Sequence, residues 1–334
     1  MTAPPDLSGT GAEVELPPVD EAGTQSAIQG RSLGQIAWRR FRRDEVALVS
    51  LAFIVILVLA AILAPVIVKY LGHPPNEFHS TEIDPTLSRP LHAWGGISWS
   101  KHFLLGVEPI NGRDVLSRIL YGARISLVIA VLATMLAVAI GVVMGVIAGY
   151  FGGWVDTIIS RIMDVFLAFP LLLFAIALTG VFPDKAFGLS GNTLRVAILV
   201  FIIGFFNWPY VGRIIRGQTL SLREREFVDA ARSLGARPPY ILFKELLPNL
   251  AAPILVYSTL LIPSNILFEA GLSYLGVGIQ EPAPSWGGML SNAVQFYRID
   301  PMYMVVPGLA IFLTVLAFNL LGDGLRDALD PRSH

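Results

Sequence analysis

The chain has 334 residues, 54% hydrophobic and only 15% charged, with a mean hydropathy of +0.64. A soluble domain is nearer a quarter charged, so this balance excludes an ordinary cytosolic enzyme and indicates a membrane protein. The 24 Lys and Arg against 25 Asp and Glu leave no net basic field for nucleic acid, and the lack of Cys excludes disulfides, thiolate zinc and a cysteine nucleophile.

Residues 1–30 carry Asp6, Glu13, Glu15, Asp20 and Glu21 among Pro, Gly, Thr and Ala, with no basic residue. Such a segment buries too little apolar surface to fold, which predicts a disordered cytoplasmic tail. Residues 32–45 read as an interfacial basic segment, with Trp38 and Phe41 at headgroup depth and the Arg side chains toward lipid phosphate. They serve equally well as a plain topology signal.

A spanning helix needs about 20 apolar residues. Six stretches supply them: 46–70, 124–149, 155–180, 194–212, 249–277 and 302–322. The first is too long and too far from the N-terminus for a cleaved signal peptide. Arg161 and Asp164 sit near one end of the third and are expected to pair with each other or a neighbour. Gly141, Gly145 and Gly149 line one face of the second, a pattern of close helix packing. Pro253, Pro263, Asn265 and Glu269 mark the fifth as kinked and partly protein-facing. Asn207, Asn265 and Asn319 read as interhelical hydrogen-bonding groups, and Glu269 either as such a group or as part of a path.

Orientation follows the Lys and Arg near the spans. Arg31, Arg39, Arg40, Arg42 and Arg43 precede the first span, and Arg213, Arg216, Arg223, Arg225, Arg232, Arg237 and Lys244 follow the fourth. Both termini, including 323–334, and the 213–248 loop are therefore expected in the cytoplasm. The 71–123 connection is then external, a small elaborated loop and no domain. The spacings of its His73, His79, His92 and His102 match no compact metal-ligand pattern.

The 213–248 loop is long and internally organised. Ser221 and Glu224 fit a capping box, and a helix over 222–234 would end at Gly235. Phe227, Ala230, Ala231 and Leu234 would share one narrow apolar face, with Arg225 and Asp229 pairing opposite. Pro238-Pro239 break the chain, a second short helix starts at Tyr240, and Pro248 opens the fifth span. A small-faced helix of this kind suits a groove on a partner, or the inner membrane surface.

Asp229-Ala230-Ala231-x3-Gly235-x9-Glu245-x-Leu247-Pro248 resembles the EAA motif of ABC importer permeases, with Asp for its first Glu and Glu245 for its Ile. Asn111-Gly-Arg-Asp-Val-Leu-Ser-Arg118, Tyr121-Gly-Ala-Arg-Ile-Ser-Leu127, Gly149-Tyr-Phe-Gly-Gly-Trp-Val-Asp156 and Ala168-Phe-Pro170 are similar, in order, to blocks of dipeptide, oligopeptide and nickel permeases. So are Glu269-Ala-Gly-Leu-Ser-Tyr-Leu-Gly276, Pro284-Ser-Trp-Gly287 and Asn319 to Pro331. The likeness covers nearly all of the chain after residue 38 and is that of the C-type subunit.

The resemblance implies an all-α polytopic membrane protein with six transmembrane helices, the type I importer permease fold and an EAA coupling helix. It implies a non-catalytic subunit of the bacterial cytoplasmic membrane that shares a path for di- or oligopeptides with a second, B-type permease. One or two cytoplasmic ATPase subunits would hold ATP and Mg, and an external solute-binding protein would deliver substrate. Phe227, Asp229, Ala230, Ala231, Leu234, Gly235, Leu247 and Pro248 become the coupling residues. No G-x-x-x-x-G-K-[ST] occurs, so the chain has no phosphate cradle of this kind. A nickel or other small-solute importer of the same fold fits the motifs as well. An ion-driven secondary transporter would need matching broken halves, which the sequence does not show.

Overall fold

The computed structural model describes residues 33–91, 102–181, 185–186 and 188–329. The tail 1–30, His92, Trp94, Trp99 and residues 330–334 lie outside them.

Asp44 starts the first long helix by accepting the Ala47 amide at 3.0 Å. A short helix, α1 (Leu33–Phe41), precedes it, and the span itself is two helices, α2 (Glu45–Ile62) and α3 (Ala64–Leu71). The single helix expected over 46–70 is thus interrupted at Leu63, with Pro65 in the first turn of α3, where its missing amide costs nothing. Asp114 caps α4 (Val115–Phe151) through the Leu116 amide, 2.9 Å away. The second span therefore begins nine residues before the expected 124, and the connection shortens to 72–114.

The third span, expected as one helix over 155–180, is a broken pair. Helices α5 (Gly153–Ala168) and α6 (Leu171–Val181) meet at 75°. Phe169 is extended (φ −81°, ψ 129°), the conformation that a residue before proline prefers, and Pro170 supplies the break. A two-stranded hairpin of two-residue strands, β1 (Lys185–Ala186) and β2 (Leu189–Ser190), leads to α7 (Gly191–Leu222). Beyond it lie α8 (Glu226–Ser233), the turn α9 (Pro238–Tyr240), a π-helical segment at Ile241–Leu246, and α10 (Leu247–Tyr274). Helix α11 (Trp286–Ala293) and α12 (Pro301–Leu329) complete the chain, so the last span runs seven residues past the expected 322. Among the described residues, five helices, or six spans with the bent pair counted as one, are long and apolar enough to cross a membrane.

Helix α4 is the axis, packed along α7 and against α10. Its glycines explain how closely. A Cβ on Gly141 would lie 2.7 Å from the Val211 Cβ, on Gly145 2.6 Å from the Gly212 carbonyl, and on Gly149 2.6 Å from the Thr219 Cβ. Two apolar clusters flank this axis. One joins α1, α2, α4, α10, α11 and α12 through Phe41, Trp286, Ile311 and Phe318. The other joins α4, α6, α7 and α10 through Ile129, Leu199, Ile202 and Leu272. Phe41 is buried in the first, facing protein and not lipid, because α1 packs against α12.

Candidate functional site: the α8 loop and the polar groups between the spans

Ser221 lies in the last turn of α7 and caps nothing, while Glu224 pairs with Arg223 at 2.8 Å. The expected helix over 222–234 is α8, Glu226–Ser233, preceded by extended Arg225. Its end is a Schellman motif. The Ala236 amide donates to the Ala231 carbonyl at 3.0 Å and the Gly235 amide to the Arg232 carbonyl at 2.9 Å, with Gly235 at φ +80°. Only glycine takes that conformation without strain.

The apolar face expected of Phe227, Ala230, Ala231 and Leu234 is divided between two sides. Val228 and Ala231 are buried with Tyr150, Ile241 and Leu246, and Phe227 is packed at the edge of that cluster. Ala230 and Leu234 face outward with Glu226, Asp229 and Ser233, and Leu234 is 89% exposed. Asp229 pairs with Arg232 at 3.2 Å, not with Arg225. Val228, outside the expected face, is the buried anchor, and Leu234 lies one residue beyond the helix. Glu245, at the family's Ile position, is half-buried, and Ile241 and Leu246 supply the apolar packing. Leu247 and Pro248 open α10, Pro248 in its first turn.

Around α8 the charged side chains are surface pairs. Arg216 holds Asp156 through two hydrogen bonds, one of 2.6 Å, and Arg213 holds Asp164, which also lies 3.8 Å from Arg161. Arg223 reaches across to the Gly149 carbonyl at 3.1 Å.

Deeper, three spans share one buried hydrogen-bond chain. Asn207 Nδ2 (α7) donates to Asn265 Oδ1 (α10) at 2.9 Å, and Asn265 Nδ2 to Thr134 Oγ1 (α4) at 2.8 Å. Glu269, one turn further along α10, is fully buried. Ser273 donates to its Oε1 at 2.8 Å, and its Oε2 has no hydrogen-bond partner. Beside this chain the surface opens into two adjoining clefts of about 360 and 320 Å³. Both are lined by Asn207, Tyr210 and Phe268, one reaching Tyr257 and Ser264 and the other the Phe169-Pro170 bend.

At the opposite end of the bundle a charge network escaped notice in the sequence. Arg113 Nε donates to Glu108, and Arg113 Nη1 to Glu281 at 2.6 Å. Arg118 Nη2 donates to the same Glu281 at 2.8 Å, and Tyr303 donates to Glu108 at 3.2 Å. Glu108, Arg113, Arg118 and Tyr303 are all buried. Burial would raise the Glu281 carboxyl, but the Arg113 hydrogen bond and the Arg118 and Arg113 charges outweigh it and hold it below the ordinary value. Beneath this network the 72–114 segment has its own small core of Ile83, Phe103 and Val107. Sequence spacing separated the histidines, yet His73, His79 and His102 gather around Phe103. Among the described residues no group of three or more His, Asp or Glu is arranged to hold a metal ion.

A family model described as the binding-protein-dependent transport system inner membrane component matches residues 141–334. A second, the N-terminal TM domain of oligopeptide transport permease C, matches residues 32–86. Relatives named glutathione transport system permease protein GsiD, from Salmonella paratyphi A and Salmonella typhimurium, are 45% identical over 295 residues, 88% of this chain and 89% of theirs. The protein of that name from Escherichia coli O6:K15:H31 is 41% identical over the same length. A solved structure titled as an inward-facing conformation of the MetNI methionine ABC transporter matches with a TM-score of 0.52 at 18% identity, over 64% of this chain and 97% of that one, which shows the fold. The chain belongs to the binding-protein-dependent inner membrane components, as an ABC importer permease of the oligopeptide permease C type.

Proposed function

We propose that this permease carries peptides, with glutathione-sized tripeptides foremost, inward along a path shared with a B-type permease. It does no chemistry itself. ATP and Mg sit on one or two cytoplasmic ATPase subunits, and an external binding protein delivers the substrate. Both termini and α8 face the cytoplasm, a reading the Arg distribution supports. The clefts at Asn207, Tyr210 and Phe268 lie on the path side, while Asn265 joins α10 to α7 and α4.

One observation carries this reading: α8 is fixed on one face and bare on the other. Val228 and Ala231 anchor it to the body, the Gly235 cap fixes its end, and Asp229, Ala230 and the exposed Leu234 project outward. An apolar residue so exposed, beside a small one, fits a groove on an ATPase subunit. Pushed there, α8 moves the ends of α7 and α10 with it, because Leu222 and Leu246 share its anchoring cluster.

The test is uptake into proteoliposomes holding this chain, the B-type permease and the ATPases, with the binding protein outside. ATP-dependent accumulation of labelled glutathione or dipeptide supports the reading. Uptake of nickel alone, or ion-driven uptake without ATP, refutes it.

A further inference from the structure

We propose that α1 and the turn after it form a binding site for anionic phospholipid headgroups. Helix α1 is a fixed element, because Phe41 is buried in the same cluster as Ala47, Leu321 and Ala328. The turn behind it is equally set. The Arg42 amide donates to the Trp38 carbonyl, Arg43 to Arg40 and Asp44 to Phe41, before Asp44 caps α2. Gly324 lets α12 approach this corner, since a Cβ there would meet the Ala47 Cβ at 2.4 Å and Asp44 Oδ2 at 2.9 Å.

With Phe41 turned inward, the outer surface presents Trp38, 58% exposed, and the exposed Arg39, Arg42 and Arg43. Arg42 lies 5.7 Å over the Trp38 ring, and among the described residues Arg39, Arg42 and Arg43 enter no ion pair. Two residues further on, α2 begins with outward Val46 and Val49, and Ile56 follows on the same lipid-exposed helix. The three guanidiniums are therefore held at the depth where acyl chains give way to phosphate. Trp occupies that level by preference, and forked guanidinium donors match phosphate oxygens. A plain topology signal would need only the charge, and not a buried anchor, a capped turn or an indole beneath one guanidinium.

The test is native mass spectrometry of the assembled transporter, washed from an equal mixture of phosphatidylglycerol and phosphatidylcholine. One basic residue near an anionic surface is worth roughly fivefold, so the wild type retains phosphatidylglycerol preferentially, and R39Q/R42Q/R43Q lowers that retention at least about tenfold. The corresponding triple Lys variant keeps the preference, which separates lost lipid from lost insertion. Trp38→Ala, which leaves every charge, lowers retention about twofold. No preference in the wild type, or an unchanged one in the Gln variant, overturns the proposal. So does displacement of the lipid by millimolar inorganic phosphate, which would mark a soluble-anion site. Loss of the ATPase subunits from the Gln variant with lipid retention intact would assign the surface to a protein instead.

Discussion

Where α4, α11 and α12 begin, charges are buried and shared. Buried Glu108, Arg113, Arg118 and Tyr303 and half-exposed Glu281, from two loops and two helices, hold one another. Where α4 and α7 end and α8 begins, charges form separate pairs: part-buried Asp156 with Arg216, and exposed Asp164 with Arg213 and Asp229 with Arg232. A buried network of this kind is costly to break because any survivor is left unpaired in low dielectric. Surface pairs exchange partners at little cost. The first end is built to keep α4, α12 and the α10–α11 connection in one arrangement. The second holds α4 to α7 through Gly145 and Gly149 and ties α8 on by its anchor and the Gly235 cap, while its charged pairs bind less firmly.

Breaking the first end should have the largest effect. Arg118→Met leaves Arg113 as the one cation between Glu108 and Glu281 in this network and removes the hydrogen bonds to the Pro75 and Pro282 carbonyls. A loss of about 2–3 kcal/mol is expected, read as a lower unfolding temperature in detergent. Acid should loosen the same network. Glu281 titrates below its ordinary value near 4.5 when folded, so its contribution is full above that pH and is lost as pH falls through the depressed value. Wild-type stability should therefore fall more steeply below about pH 4.5 than that of Glu281→Gln; equal slopes would remove Glu281 from the account.

Gly235→Val is next. A Cβ there meets nothing within 4 Å, so its cost is the left-handed backbone alone, about 1–2 kcal/mol, confined to the end of α8. ATP hydrolysis should persist while uptake falls; undiminished uptake would deny α8 its role. Asn265→Leu, which leaves Asn207 and Thr134 without their shared partner, should cost about 1 kcal/mol in the membrane. Arg232→Gln removes an exposed pair and should change stability by less than about 0.5 kcal/mol.

The spans, the α8 loop and its terminal glycine were legible in the sequence because each rests on local pattern: apolar length, a helix stop, Pro238-Pro239. What escaped depended on distance or direction. Arg118 and Glu281 stand 163 residues apart, and Tyr303 and Glu108 195, so no spacing rule joins them. Ser221 looked like a cap because nothing local shows that α7 continues through it. Leu234 was placed on one face with Phe227 and Ala231 because helical periodicity was carried one residue past the end of the helix. Pro170 did signal the bend between α5 and α6, but apolar length outweighed it in the reading of 155–180 as one helix.

The central claim is that α8 meets an ATPase subunit with its Asp229–Ala230–Leu234 side while Val228 stays with the permease body. The chain has no Cys, so single cysteines at 234 and 228 can each carry a short photo-crosslinker in the assembled transporter. The account predicts that a crosslinker at 234 captures an ATPase subunit, in a yield that changes between nucleotide-free and ATP-bound states, while one at 228 captures only the permease chain itself. Capture of the ATPase from 228 and not from 234 would contradict it.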